Sequence, residues 1–201
     1  MQLVRAALMA VVALMITFSP DHSAAIGLAA FAGFAISSAL VLILAAWLVY
    51  PAGRRWPSFV LGLISLAAGM AAGVPAWRTA GLFFVVLIAW AVGTGITELV
   101  AGLRHRGEDG AKDQVITGSL SLLLALVLLI VPQTLNQTYT IDGAGTFSLT
   151  GIIVAVGIFG GYAAIVAVQL AIAGLSPRPK EQPADASDAP SVAEADRGGV
   201  S

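Results

Sequence analysis

Six long apolar blocks, separated by short polar breaks, organise the chain: Leu3–Phe18, Ala24–Tyr50, Ser58–Val74, Ala80–Leu103, Val115–Val131 and Ser148–Leu175. Within each block the apolar residues run almost continuously instead of forming the one-sided stripe of a soluble helix. Apolar runs of about 18 residues or more with hardly a charge predict transmembrane helices. The breaks carry turn and charge residues: Ser19-Pro20-Asp21, Pro51 to Arg55, Pro75 to Arg78, Arg104 to Asp113, and Pro132 to Phe147. At about 1.5 Å of rise per residue, the odd-numbered blocks barely cross a hydrocarbon core of about 30 Å, and the even-numbered ones overshoot it. The predicted fold class is all-α, a polytopic membrane bundle of about six transmembrane helices.

The blocks also alternate short and long. Pro20, Pro75 and Pro132 each close a short block, at a spacing of roughly 55 residues, and each is followed by a longer block ending near basic residues. Periodicity on this scale predicts an internal repeat. The expected organisation is three short-long helical hairpins, about 3–50, 56–104 and 115–175. They make up a membrane domain of residues 1–175, with all three units entering the bilayer in the same direction.

Composition supports this reading. The chain of 201 residues is 58% hydrophobic and only 10% charged, against about 25% charged residues in a usual soluble domain. So few charges cannot cover a water-facing surface. The net charge of -1 gives no sign of nucleic-acid binding. There is no cysteine, which removes disulfides, thiol catalysis and thiolate metal sites. His22 and His105 fall in predicted loops without a ligand cluster around them. No metal and no cofactor is expected.

Orientation follows from the basic residues. Arg5, Arg54, Arg55, Arg104, Arg106 and Lys112 fall at one end of the blocks, with Arg178, Lys180 and Arg197 beyond the last one, and only Arg78 falls at the other end. This bias places both termini in the cytoplasm of a cell or inner membrane. The first block resembles a secretory signal in having Arg5 ahead of an apolar run. However, Phe18-Ser19-Pro20-Asp21 interrupts the region where a cleavage site belongs, so retention as a helix is expected. From residue 176 to 201 the chain turns to Pro, Ala, Ser, Asp and Glu, a composition that cannot offset its own ordering entropy and predicts a disordered cytoplasmic tail.

Small residues recur at four-residue spacing inside the blocks. Examples are the row through Gly33 on the second, Gly69 and Gly73 on the third, the row through Gly93 and Thr97 on the fourth, and Gly157 and Gly161 on the sixth. Such rows let helix backbones approach where lipid is as apolar as leucine, and they are expected to be packing seams. The alternative is that they line a permeation path.

The fourth block closes with Gly93-Thr94-Gly95-Ile96-Thr97-Glu98-Leu99-Val100-Ala101-Gly102-Leu103-Arg104. With three hairpins and a proline closing each short helix, this segment resembles the HdeD-like family of small bacterial membrane proteins. The resemblance covers roughly residues 3–175 and is clearest in the second repeat. The first repeat has Ser37-Ser38-Ala39-Leu40 in the corresponding region, without the glutamate, and the third has Gly160-Gly161-Tyr162-Ala163-Ala164 with a longer outer loop. The resemblance implies a link to acid tolerance in a bacterial inner membrane, and it carries no catalytic residues with it.

Glu98 is the one ionisable side chain placed inside a block away from its ends, roughly 6–9 Å deep at 1.5 Å per residue. Intramembrane carboxylates are costly and are functional hypotheses by default. Two readings stay open. In one, Glu98 bonds to Thr117, Ser119 or Ser121 of the next helix as a clasp, with Thr94 one turn away. In the other it is a protonatable relay or ligand contact. Gln169 on the sixth helix is a second candidate for an interhelical hydrogen bond. Trp47, Tyr50, Trp56 and Trp77 fit an interfacial aromatic belt, and Asn136-Gln137-Thr138 matches a glycosylation triplet that carries no sugar in a bacterial chain. One buried acid without a buried base cannot form a general acid/base pair, and the nucleotide, nucleophile-elbow and zinc motifs have no match.

The expected function is that of a non-enzymatic multi-pass membrane protein contributing to acid or stress tolerance. The alternatives are a small proton- or cation-linked transporter using Glu98, and an assembly partner of another membrane protein. Besides the lipid bilayer, a second copy or another membrane protein is the expected partner, with the outer loop from Gln133 to Phe147 as a place of contact.

Overall fold

The computed structural model describes residues 2–48, 55–108, 110–141, 143 and 145–176. The tail expected at 176–201 lies outside them apart from Ser176, as do Tyr50 and Arg54. Six helices dominate: α1 (Gln2–Phe18), α2 (Ala24–Leu48), α3 (Trp56–Gly73), α4 (Ala80–Arg104), α5 (Ala111–Ile130) and α6 (Gly151–Leu175). The short helices α1, α3 and α5 end just before Pro20, Pro75 and Pro132, whose rings cannot continue a helix. Two of the long ones, α2 and α4, begin behind polar caps. Asp21 Oδ1 accepts from the Ser23 amide ahead of α2, and Thr79 Oγ1 accepts from the Leu82 amide in the first turn of α4.

The helices α2 to α6 are long and apolar enough to cross a membrane. With 17 residues, α1 is slightly shorter, but it lies along α6, where Leu3 packs at Gly174 and Ile16 at Gly160. The protein is thus an all-α polytopic helix bundle embedded in a membrane. Two boundaries differ from the sequence expectation: α5 begins at Ala111 rather than near Val115, and α6 begins at Gly151 rather than near Ser148. The outer loop is not irregular. It forms an antiparallel hairpin of β1 (Asn136–Ile141) and β2 (Gly145–Thr150), in register from Asn136 opposite Thr150 to Ile141 opposite Gly145.

The helices close into a ring, each packing on the next, with α6 returning to α1. Close and loose interfaces alternate around it. The close pairs are α2 with α3, α4 with α5, and α6 with α1; the pairs α1–α2, α3–α4 and α5–α6 are looser. The repeat seen in the packing is therefore offset by one helix from the short-long hairpins of the sequence.

Glycine explains the close pairs. A Cβ at Gly62 or Gly69 would meet Ile43 or Ile36 of α2 at 2.8 Å, and one at Gly102 would meet the Ala111 carbonyl at 2.7 Å. At Gly118 it would lie 2.7 Å from the Leu99 amide nitrogen, and at Gly160 2.7 Å from Ile16. In contrast, a Cβ at Gly33, Gly73, Gly157 or Gly161 meets nothing within 4 Å, and one at Gly93 meets Ile64 at 3.3 Å. Of the glycines in the four-residue rows, Gly69 therefore lies in a close seam within this chain, while Gly33, Gly73, Gly157 and Gly161 do not. Close-seam glycines at 62 and 69 and at 95 and 102 are two turns apart, so each pair stays on one side of its helix.

The long helices meet at the centre through rings packed edge to face. Phe31 of α2 lies 5.3 Å from Trp90 of α4 and 5.7 Å from Phe159 of α6, between ring centroids, and Phe34 lies 5.7 Å from Trp90. Phe83 reaches Phe159 at 6.4 Å, and Trp90 reaches Tyr162 at 6.3 Å. Such pairs add about 0.5–1.5 kcal/mol beyond their buried area.

Candidate functional site

Glu98 faces into the bundle from α4 and is only 2% exposed. Arg5 of α1 donates from Nη2 to Glu98 Oε1 at 2.5 Å. An ionised pair forms the stronger hydrogen bond, and this pairing takes the place of the expected contact with hydroxyls of α5. Thr94 and Thr97 do not serve Glu98 either. Their hydroxyls donate to the carbonyls of Trp90 and Gly93 one turn earlier in α4, each at 2.7 Å.

The α5 hydroxyls face α6 instead. Thr117 Oγ1 lies 2.9 Å from the Asp113 carbonyl and 2.9 Å from the side-chain amide of Gln169. One hydroxyl proton serves one acceptor. With that proton on Asp113, Gln169 joins by turning its NH₂ to the Thr117 oxygen, since the two ends of an amide are interchangeable in placement. Ser121 Oγ likewise donates to the Thr117 carbonyl at 3.0 Å, so the Tyr162 hydroxyl, 2.8 Å away, donates to Ser121. Ser119 is exposed. A third link joins α3 to α4, where Trp90 Nε1 donates to Ser65 Oγ at 3.1 Å.

The ring thus uses two kinds of joint. Glycine lets backbones touch in the close pairs, and the side-chain hydrogen bonds of Trp90 and Ser65, Thr117 and Gln169, and Ser121 and Tyr162 cross the loose interfaces α3–α4 and α5–α6. Sequence reasoning named Glu98 and Gln169 but missed their partners. In the sequence Arg5 looks like any flanking charge, and Tyr162, Ser65 and Trp90 carry no signal that separates a bonded residue from a merely buried one.

Beside the ion pair lies a cavity of about 50 Å³ whose polar lining is Gln2, Arg5, Ser58, Glu98 and Gln114. It has room for a few water molecules. Larger clefts of about 670 and 510 Å³ flank α5. Their walls include the exposed side chains Ile116, Ile165, Val168 and Ile172, so they belong to the outer surface of the bundle. His105 sits at the end of α4 with Nδ1 2.9 Å from the Ala101 carbonyl. Trp47 and Trp77 are exposed near helix ends, and Arg104 lies over the ring of Trp56, 5.8 Å from its centroid.

The arrangement sets the Arg5–Glu98 pair beside a small, partly polar cavity at one end of an aromatic-filled bundle. Comparison of the chain with models of protein families, with curated proteins and with solved structures finds no match to any of them.

Proposed function

We propose that this is a non-enzymatic multi-pass protein of a bacterial inner membrane, of the HdeD-like kind, with both termini in the cytoplasm and a part in acid or stress tolerance. The observation that carries the non-enzymatic reading is how the bundle is filled. Phe31, Phe34, Phe83, Trp90 and Phe159 occupy its centre, and the polar cavity beside Arg5 and Glu98 measures about 50 Å³. Sites for small molecules usually enclose about 300–1,000 Å³. The larger clefts lie on the apolar outer surface, where lipid chains fit them. Orientation rests on the distribution of basic residues, and the tolerance role rests on the sequence resemblance.

The test is proton uptake into proteoliposomes under an inward pH gradient, native protein against Glu98→Gln. Uptake equal to that of empty liposomes is the expected result. Uptake that depends on Glu98 overturns it in favour of a proton-linked transporter, the reading that the charge pair beside a water-sized cavity favours. For the physiological part, a bacterial strain lacking the protein is expected to survive acid challenge less well. Unchanged survival removes the tolerance role and leaves assembly with another membrane protein as the next reading.

A further inference from the structure

We infer that the β1–β2 hairpin is a membrane-interface element: the face bearing Tyr139, Phe147 and Leu149 lies on the lipid surface, and the opposite face is turned to water. The inference goes beyond the functional reading and needs only that the helices span the bilayer, whichever end is cytoplasmic.

The register sorts the side chains by chemistry. Residues opposite each other in an antiparallel pair share a face, and successive residues alternate. The pairs Asn136 with Thr150, Thr138 with Ser148 and Thr140 with Thr146 put hydroxyls and an amide on one side. The pairs Gln137 with Leu149 and Tyr139 with Phe147 fall on the other. Tyr139 and Phe147 stack with ring centroids 6.0 Å apart, yet they remain 50% and 43% exposed. A two-stranded hairpin is marginal in water by itself. Among the described residues, this one packs on the bundle mainly at its root, where β2 meets α6. Its apolar side therefore lacks a cover among the described residues.

Position and charge say what the cover is. Thr150 ends β2 and Gly151 begins α6, and the Gly151 amide donates to the Leu135 carbonyl at 3.0 Å, so both strands are anchored at the ends of spanning helices. A strand of six residues extends about 20 Å at 3.4 Å per residue, so the whole ribbon stays within that distance of the bilayer boundary. From Pro132 to Gly151 the only charged residue in the sequence is Asp142. A ribbon with aromatic side chains on one face, hydroxyls on the other and almost no charge matches the headgroup boundary, where tyrosine collects and amphipathic elements bury an apolar face about 5–10 Å deep.

The absence of native cysteine permits a direct test. Single cysteines at Tyr139→Cys, Phe147→Cys, Thr138→Cys and Ser148→Cys, each carrying a nitroxide, are read in the full chain reconstituted into phosphatidylcholine–phosphatidylglycerol vesicles. The measurement is collision with oxygen, which concentrates in lipid, against collision with a water-soluble nickel chelate. Labels at 139 and 147 are expected to favour oxygen several-fold over those at 138 and 148. Gln137→Cys keeps the aromatic pair intact and is expected to behave like 139 and 147, so loss of the ring stack does not blunt the test. Labels at 137, 139 and 147 as open to nickel as their neighbours overturn the inference and leave the hairpin standing in water. Labels there shielded from both reagents also overturn it, pointing to contact with another protein or a second copy.

Discussion

Arg5 and Glu98 lie 93 positions apart and share one hydrogen bond that ties α1 to α4, two helices without extensive packing on each other. The bond reaches across the bundle where the glycine seams do not. Removing Arg5 takes the ion-pair partner from a carboxylate that is only 2% exposed, and breaking a buried pair typically costs about 3–5 kcal/mol. Glu98→Gln and Arg5→Gln are therefore each expected to lower the unfolding midpoint in detergent. The double change Arg5→Met with Glu98→Leu is expected to recover most of the loss. A double variant as unstable as the sum of the two single ones would show that the charges do not act as a pair.

The close α4–α5 seam makes a second prediction. At Gly118 an added methyl meets backbone atoms, the Leu99 nitrogen at 2.7 Å and the Gly95 carbonyl oxygen at 2.8 Å, and backbone cannot swing aside as a side-chain tip can. Gly118→Ala is expected to destabilise the protein by about 1–3 kcal/mol, the usual range for overpacking. Gly157→Ala, where the methyl meets open space, is expected to stay within about 0.5 kcal/mol, as surface changes do. Thermal unfolding of the two variants in one detergent compares them.

The α5–α6 joint is held by hydroxyls, so its contributions are smaller. Tyr162→Phe removes the donor to Ser121 and is expected to cost about 0.6 kcal/mol, the average for polar links between membrane helices. Thr117→Val leaves Gln169 without its hydrogen-bonded partner and is expected to cost at least as much. A double-mutant cycle of Tyr162→Phe with Ser121→Ala is expected to show coupling, because the two residues share one bond.

The central rings carry the largest single effect. Phe31 is fully buried and touches Phe34, Trp90 and Phe159, one ring from each long helix. Phe31→Ala is expected to cost about 3–5 kcal/mol. Leu44→Ala, on the exposed side of the same helix, is expected to change stability little. Equal losses in the two would mean that the centre is less tightly filled than the ring geometry implies.

What could be read from the sequence divides along physical lines. The prolines at 20, 75 and 132 stop helices by local chemistry, so the short-long alternation of spans was legible. The ion pair was not. An arginine four residues into the chain resembles any flanking charge, and its partner is set by ring closure, which leaves no local mark. Four-residue spacing points to Gly69 but not to Gly62, Gly95, Gly102 or Gly118, because the close seams of α3 and α4 repeat over two turns. The alternation through Thr138, Tyr139 and Thr140 and the Asp142-Gly143 step between the strands are hairpin signals, but in a polar break behind a proline they are outweighed by the loop pattern.

The offset between sequence repeat and packing repeat has a consequence for assembly during synthesis. While the chain emerges, α2 meets α3 and α4 meets α5 almost as soon as each is made. The close partner of α1 is α6, which leaves the ribosome much later. At about 5–20 residues per second, α1 spends several seconds in the bilayer held only by its looser neighbour and, once α4 arrives, by the bond from Arg5 to Glu98. The charge pair links α1 to a helix made well before α6, and it stays part of the finished bundle.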